Sequence, residues 1–272
     1  MRSTRYLVTV VVLLFSVRPV VSQRPALRVS GERIAGGLMV GTVPAGTRVE
    51  VNGRRTRVSA RGTFLLGTGR NGGTLEIRRN ESGRSTVDQI DARPREYRTE
   101  RIRGAPMALV RLDGALGRQQ RRADQRLDAL RRRDTEAPAF ERGFQIPLEG
   151  PRTGFYGSRR LFDDVPGPIH WGLDIARPSG TRVEAPAGGK VVLVDAFPAQ
   201  GRMLVIDHGH GLMSSLLHLR ETGVRPNERV RRGQAVGTVG ATGRATGPHL
   251  DWRVHLLGVP IDPETVLESL PP

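Results

Sequence analysis

The 272-residue chain contains no cysteine. That excludes disulfides, thiolate metal sites and a lipidated cysteine anchor. It does not fix a compartment, because exported proteins can do without disulfides. Aromatic residues are scarce at 4%, against 34 glycines and 19 prolines. This balance disfavours long helices and favours short strands joined by turns. Acid is short too: 27 Asp and Glu face 43 Lys and Arg, for a formal charge of +16, and almost all the cations are arginine. Such a field attracts polyanions, among them nucleic acid, anionic headgroups and cell-wall polymers. Guanidinium suits bidentate contact with phosphate or carboxylate, although arginine richness is equally a mark of GC-rich coding. No stretch after residue 22 is long and apolar enough to span a membrane.

The first 22 residues read as a secretory signal. Arg2 and Arg5 form a basic start, Leu7 to Phe15 is an apolar run, and Val20-Val21-Ser22 ends in small residues suited to cleavage. The run is short for a membrane anchor, and Arg18-Pro19 interrupts it. Export to the periplasm or the medium is the expectation.

Three regions follow. Residues 23–112 alternate short apolar stretches with turn residues, as in Leu38-Met39-Val40, Thr47 to Val51 and Thr63 to Leu66. Asn52-Gly53 between two such runs signals a two-residue hairpin. The spacing suits a small β-sandwich-like accessory domain. Residues 113–142 are densely basic. Leu116, Ala123, Leu127 and Leu130 fall on one helical stripe, which reads as a short basic helical linker, a solvated connector closed by Pro138. Residues 143–272 are β again, with candidate strands at Thr181–Glu184, Lys190–Ala196, Met203–Asp207, Leu212–Leu217, Ala235–Val239, His249–Val254 and Val259–Ile261. The fold class is mostly β.

All six histidines lie in this C-terminal region. His170-Trp171-Gly172-Leu173-Asp174 places an imidazole and a carboxylate four apart, with a glycine between them that lets the chain bend around one cation. In His249-Leu250-Asp251, strand alternation turns residues 249 and 251 to one side. Zinc takes imidazole nitrogen and carboxylate oxygen, and a catalytic site needs three protein ligands and an open position. His170, Asp174 and Asp251 make such a set, leaving His249 and His218 for proton transfer. His208, His210 and His255 read as structural. Gly237 to Gly243 has the look of a phosphate-cradling loop but lacks its Gly-Lys-Ser/Thr ending.

The flanking sequence, from about Phe144 to Pro263, resembles the LytM-type (lysostaphin-like, M23) metallopeptidases. The matching pieces stand in the family's order: Gly154 to Arg160, His170 to Ala176, Gly180 to Val183, Ala185 to Val191, Ile206 to Gly209, Leu217 to Leu219, Gly233 to Gly237, and Gly240 to Leu250. The resemblance implies an antiparallel sheet with a metal-holding groove, His170 and Asp174 as ligands of one zinc per chain, and His249 and His218 as catalytic groups. The family's third ligand is the second histidine of a His-x-His, and here that position is Asp251. Two carboxylates neutralise Zn²⁺ more fully than one, which would weaken acidification of bound water and shift preference toward Mn²⁺.

The implied activity is hydrolysis of peptide bonds in peptidoglycan stem peptides or cross-links. Arg160 and Arg244 are the candidate contacts for substrate carboxylates, and other cell-wall enzymes are candidate partners. The rival is a catalytically impaired LytM-like regulator that activates another wall hydrolase. A nucleic-acid partner is not expected, because the motive for it is charge alone.

Overall fold

The computed structural model describes residues 27–81, 83–104 and 111–272. The signal-like segment lies outside them. Among the described residues, no helix is long and apolar enough to cross a membrane.

The N-terminal region builds two small antiparallel sheets. β1 (Arg28–Ser30), β2 (Leu38–Thr42) and β5 (Thr63–Gly67) form one; β3 (Arg48–Val51), β4 (Arg54–Thr56), β6 (Gly73–Glu81) and β7 (Arg84–Ala92) form the other. Asn52 and Gly53 join β3 to β4, both with positive φ (49° and 72°). That is the backbone a two-residue hairpin turn requires, so the expected hairpin is present. Met39, Phe64 and Leu66 from one sheet pack with Val49, Leu75, Ile77 and Ile90 from the other, the core of a sandwich. Leu38 and Leu65 instead face the core of the C-terminal region, so the two regions share buried apolar surface. β8 (Thr99–Ile102) joins neither small sheet. It pairs in parallel with β10 (Arg159–Phe162), which continues antiparallel to β11 (Val165–Ile169).

The basic stretch forms α1 (Gly114–Arg131), but not as a solvated connector. Leu127 and Leu130 are buried against Leu193, Met203, Val205, Met213 and Leu217 of the large sheet, while Leu116, expected on the same stripe, is exposed. The inner row is completed by Gly117 and Gln120, and the Gln120 amide hydrogen-bonds Gln200 and the Ala199 N–H. The polar anchor explains why the apolar stripe alone understated the docking.

The large sheet has ten strands. It runs β17 (Arg229–Val230), β14 (Gly189–Phe197), β15 (Gly201–Asp207), β16 (Leu212–Thr222), β19 (His249–Leu256), β12 (Gly172–Ala176) and β9 (Arg152–Gly154), with β13 (Arg182–Glu184), β18 (Ala235–Val239) and β20 (Val259–Ile261) attached. A C-terminal α2 (Pro263–Ser269) packs near β2 and β19; Asp262 caps it by accepting from the Glu264 N–H. Every strand expected between residues 181 and 261 is present within a few residues.

Alternation in β19 sorts the sheet into two faces. Leu250, Trp252 and Val254 enter the main core with Leu173, Ile175, Leu204, Ile206 and Leu216. His249, Asp251, Arg253 and His255 point to the other face, beside the surface that α1 covers.

His208 belongs to the main-core side. Its Nδ1 donates to the Gly188 carbonyl at 2.8 Å, and Nε2 accepts from the Ser214 hydroxyl at 2.9 Å. Burial lowers its pKa to about 4, partly offset by the Gly188 carbonyl. Against an unfolded value of about 6.5, the unfolded chain binds the extra proton between these limits. Stability from this group is therefore complete above about pH 6.5 and is lost as pH falls toward 4, by up to about 3 kcal/mol. Thermal unfolding in chelator should show Tm falling over this window, with a shallower fall in His208→Gln. An unchanged slope would remove His208 as a cause.

Candidate metal centre

Asp174 and Asp251 are directly opposite each other in the antiparallel pair of β12 and β19. Like charges so placed repel, and here both are nearly inaccessible to water: Asp251 is 0% exposed and Asp174 6%. The arrangement holds only if cations compensate it. Two are arginines. Arg160 Nη2 donates to Asp174 Oδ2. Arg253 grips Asp251 with Nε at 3.0 and 3.1 Å from its two oxygens and Nη2 at 2.6 Å from Oδ2.

The inner oxygens face the third group. His170, in the turn before β12, donates Nδ1–H to the Phe155 carbonyl at 3.2 Å; since a carbonyl only accepts, Nε2 is left as the bare nitrogen of the neutral ring. That nitrogen lies 3.1 Å from Asp174 Oδ1 and 3.5 Å from Asp251 Oδ1. Neither His170 Nε2 nor Asp174 Oδ1 has a hydrogen-bond partner among the described residues, though both are buried. Two acceptors at 3.1 Å need a cation between them, either a proton on His170 or a metal ion. One donor atom from each of His170, Asp174 and Asp251 lies within 4.8 Å of the others. The residues present thus fit a metal of the zinc type: one imidazole and two carboxylates, with outer hydrogen bonds orienting the imidazole and both carboxylates.

In the metal-free protein, burial opposes charge on His170, but Asp174, seconded by Asp251, holds its pKa above the ordinary value. Burial likewise opposes charge on Asp174, yet His170 and Arg160 hold it below the usual carboxylate range. Asp251 is held well below that range against burial, chiefly by Arg253.

Two motif glycines have a packing reason distinct from bending. A Cβ at Gly172 would lie 2.2 Å from Asp251 Oδ1, and one at Gly154 would lie 2.3 Å from Asp174 Oδ2. Both spaces belong to carboxylates. Gly172 in fact opens an ordinary strand.

His249 and His218 stand together beside this cluster, ring centroids 4.7 Å apart. His249 Nε2 is 3.9 Å from Asp174 Oδ1. Each ring gives its Nδ1–H to a backbone carbonyl: His249 to Gly247 at 2.9 Å, His218 to Thr242 at 2.7 Å. In the neutral ring each therefore leaves Nε2 as the nitrogen without a proton. Burial, then the proximity of His249, lowers the His218 pKa to about 4.

His218 reaches this place through a break in β16. The strand pairs with β19 as far as Leu217↔Asp251, then crosses to β18 at Leu219↔Val239. Residue 218 sits between with φ of 62°. Strict alternation would place it with Leu216 in the core; the irregular backbone re-aims it onto the other face, a recurrent use of bulges near functional sites.

The cluster opens on a groove of about 460 Å³ lined in part by Glu100, Arg160, Phe162, Asp174, Arg244 and His249. Arg244 has no ion pair or side-chain hydrogen bond among the described residues, and its guanidinium lies 5.6 Å from the Phe162 ring centre. Burial, with Arg253 and Arg160 nearby, lowers its pKa to about 10, so it remains charged at neutral pH. Arg160 is different: Nε is engaged by Glu100 and Nη2 by Asp174. A larger cleft of about 810 Å³ lies by the β3–β4 hairpin, but it is lined by arginines, Asp134 and Glu136 and contains no cluster of three metal-capable donors among the described residues.

Residues 168–263 match the peptidase family M23. The chain carries an M23 peptidase domain. The span contains all three candidate ligands and both neighbouring histidines. Over 93 residues the chain is 41% identical to the peptidoglycan DD-endopeptidase ShyA of Vibrio cholerae, covering 34% of this chain and 22% of that protein. Over 136 residues it is 34% identical to ShyC of the same organism, also named a peptidoglycan DD-endopeptidase, covering 49% of this chain and 31% of that protein. It thus spans less than a third of these relatives. A solved structure described as a candidate peptidase M23 from Pseudomonas aeruginosa superposes with a TM-score of 0.67 at 25% identity, covering 88% of this chain and 96% of that one. That likeness extends beyond the M23 domain to much of the N-terminal region.

Arg253 and Glu100 escaped the sequence reading, and Phe155 entered it only inside the Gly154 to Arg160 stretch, with no role of its own. Arg253 carried a readable signal, being two residues from Asp251 on the same strand face. Glu100 and Phe155 act through tertiary pairings that no local spacing reveals.

Proposed function

We propose that the chain is a zinc-dependent endopeptidase hydrolysing peptide bonds in peptidoglycan stem peptides or cross-links, acting in the periplasm or outside the cell. The observation that carries the reading is the buried His170–Asp174–Asp251 cluster, with its two unpartnered acceptor atoms, inside the M23 span and open to a groove.

A zinc ion held by these three residues supplies Lewis acidity toward the scissile carbonyl and its attacking water. The protein does the rest. His170 is oriented by the Phe155 carbonyl, and Arg160 and Arg253 fix the two carboxylates from behind. Their charges also offset the second carboxylate that Asp251 introduces where the family has an imidazole. His249 and His218, with Nδ1–H tied to carbonyls, offer Nε2 to take a proton from the attacking water and return it to the leaving amine. Arg244 supplies a free guanidinium for a carboxylate of the peptide. Arg160, engaged on both sides, acts on Asp174 rather than on substrate.

The test is metal content and digestion of purified peptidoglycan by the full chain. One zinc per chain, new amino termini in the released muropeptides, and loss of cleavage on chelation with recovery on zinc addition are expected. Stoichiometric metal without cleavage would favour a binding or regulatory role. Absence of both would overturn the reading.

A further inference from the structure

We propose that Glu100, carried by the N-terminal region rather than by the M23 span, is a positioning residue for the metal centre, holding two of its three ligands through their outer partners. The inference rests on the zinc reading above.

Glu100 sits in β8, directly beside Arg160 in the parallel pairing with β10. Its carboxylate is bidentate in function. Oε2 accepts from Arg160 Nε at 3.0 Å, and Oε1 accepts from the Phe155 N–H at 2.8 Å. Arg160 passes its other edge to Asp174 Oδ2. The Phe155 carbonyl receives Nδ1–H of His170. One carboxylate therefore fixes the guanidinium behind Asp174 and the peptide segment that orients His170. The side chains of Glu100 and Arg160 are each 14% exposed, so water competes weakly for these bonds.

The charge sum points the same way. Arg160 faces the cluster where a divalent cation would bind, and an uncompensated guanidinium there would oppose metal entry. Glu100 shares that charge with Asp174 and leaves the Arg160–Asp174 hydrogen bond intact.

β8 is not free to drift. Arg95, just upstream, pairs with the buried Asp262 at 2.7 Å, and the Arg98 guanidinium lies 4.2 Å from the Phe155 ring centre. Downstream, the Asp163 N–H donates to the Ile102 carbonyl at 2.9 Å. Tyr97 donates its hydroxyl to the Arg70 carbonyl at 2.8 Å, while Arg70 Nε donates to the Gly157 carbonyl at 2.8 Å. The N-terminal sheets thus set where Glu100 stands, and through it the pose of the ligands.

The experiment is a zinc titration of the full chain against a chromophoric chelator, for wild type, Glu100→Gln, Glu100→Ala and the control Asp164→Asn. Asp164 closes an exposed ion pair with Arg101 on the same strand system. Loss of an outer partner typically weakens metal binding 10–100-fold, and Glu100, one step further out, holds two such partners at once. Zinc affinity should fall about tenfold in Glu100→Gln, which keeps one acceptor oxygen, and further in Glu100→Ala, while Asp164→Asn matches wild type. At saturating zinc, kcat should recover substantially in Glu100→Gln. Thermal unfolding in chelator shows whether each variant is folded; the isosteric Gln variant decides the matter if the Ala variant is not. Stoichiometric zinc in the wild type with equal affinity in Glu100→Gln would overturn the inference alone. A wild type that binds no zinc would overturn the metal reading and this inference with it.

Discussion

Replacing Asp251 with alanine is expected to abolish stoichiometric zinc and, with it, peptide cleavage. Affinity should drop by more than the roughly 10–100-fold that loss of an outer partner costs, because a direct ligand is removed. A second effect separates this site from a simple loss of ligand. Arg253 keeps its place with only 17% of its side chain exposed and no longer has its bidentate partner. A charge left without its buried partner typically costs about 3–5 kcal/mol. Relief of the Asp174–Asp251 repulsion offsets part of this. The chelated variant should therefore unfold at a lower temperature than the chelated wild type. Asp251→His restores the residue type of the family's third position, yet it is expected to bind zinc more weakly than wild type. The imidazole would meet a guanidinium with no negative charge to face. Metal content and Tm in chelator check all three statements, and tighter zinc binding by Asp251→His would show that Arg253 does not matter to the centre.

How much of this was legible beforehand follows from how local each feature is. Seven of the eight strands from residue 181 onward were readable because they are mostly apolar runs cut by glycine-containing turns; the two-residue β17 was not. The pairing of Asp174 with Asp251 was half readable: alternation put 249 and 251 on one face, and the motif series named the residues, but the cross-strand register that makes the two carboxylates neighbours is tertiary. β9 to β12 were missed as strands: Pro166, Gly167 and Pro168 break the local pattern of β11, and β10 takes a partner, β8, some sixty residues away. The docking of α1 was hidden for a related reason. Its buried row includes Gly117 and Gln120, neither of which an apolar count registers. Arg160 illustrates the same limit at the level of chemistry: the sequence offered it as a contact for substrate carboxylates, whereas its Nε and Nη2 are engaged by Glu100 and Asp174.

His218 is the position where backbone and chemistry must be separated, because φ of 62° makes many substitutions strained whatever their chemistry. Asparagine tolerates this region far better than a β-branched residue does, and it offers no group able to accept a proton at neutral pH. His218→Asn is expected to retain one zinc and to unfold within a few degrees of wild type, while kcat falls by about 10²–10⁴, the usual worth of positioned proton transfer. His218→Val should lose stability as well, because the strain is added to the loss of the Nδ1–H bond to Thr242. His249→Ala is expected to give a similar drop in kcat with metal retained, and the double variant should lose less than the product of the two, since rings 4.7 Å apart serve one proton path. Steady-state kinetics on a defined muropeptide, with zinc measured on the same samples, reads these outcomes. A His218→Asn protein with wild-type kcat would reduce the bulge at 218 to a structural irregularity, and a fully multiplicative double variant would mean that the two histidines act at separate steps.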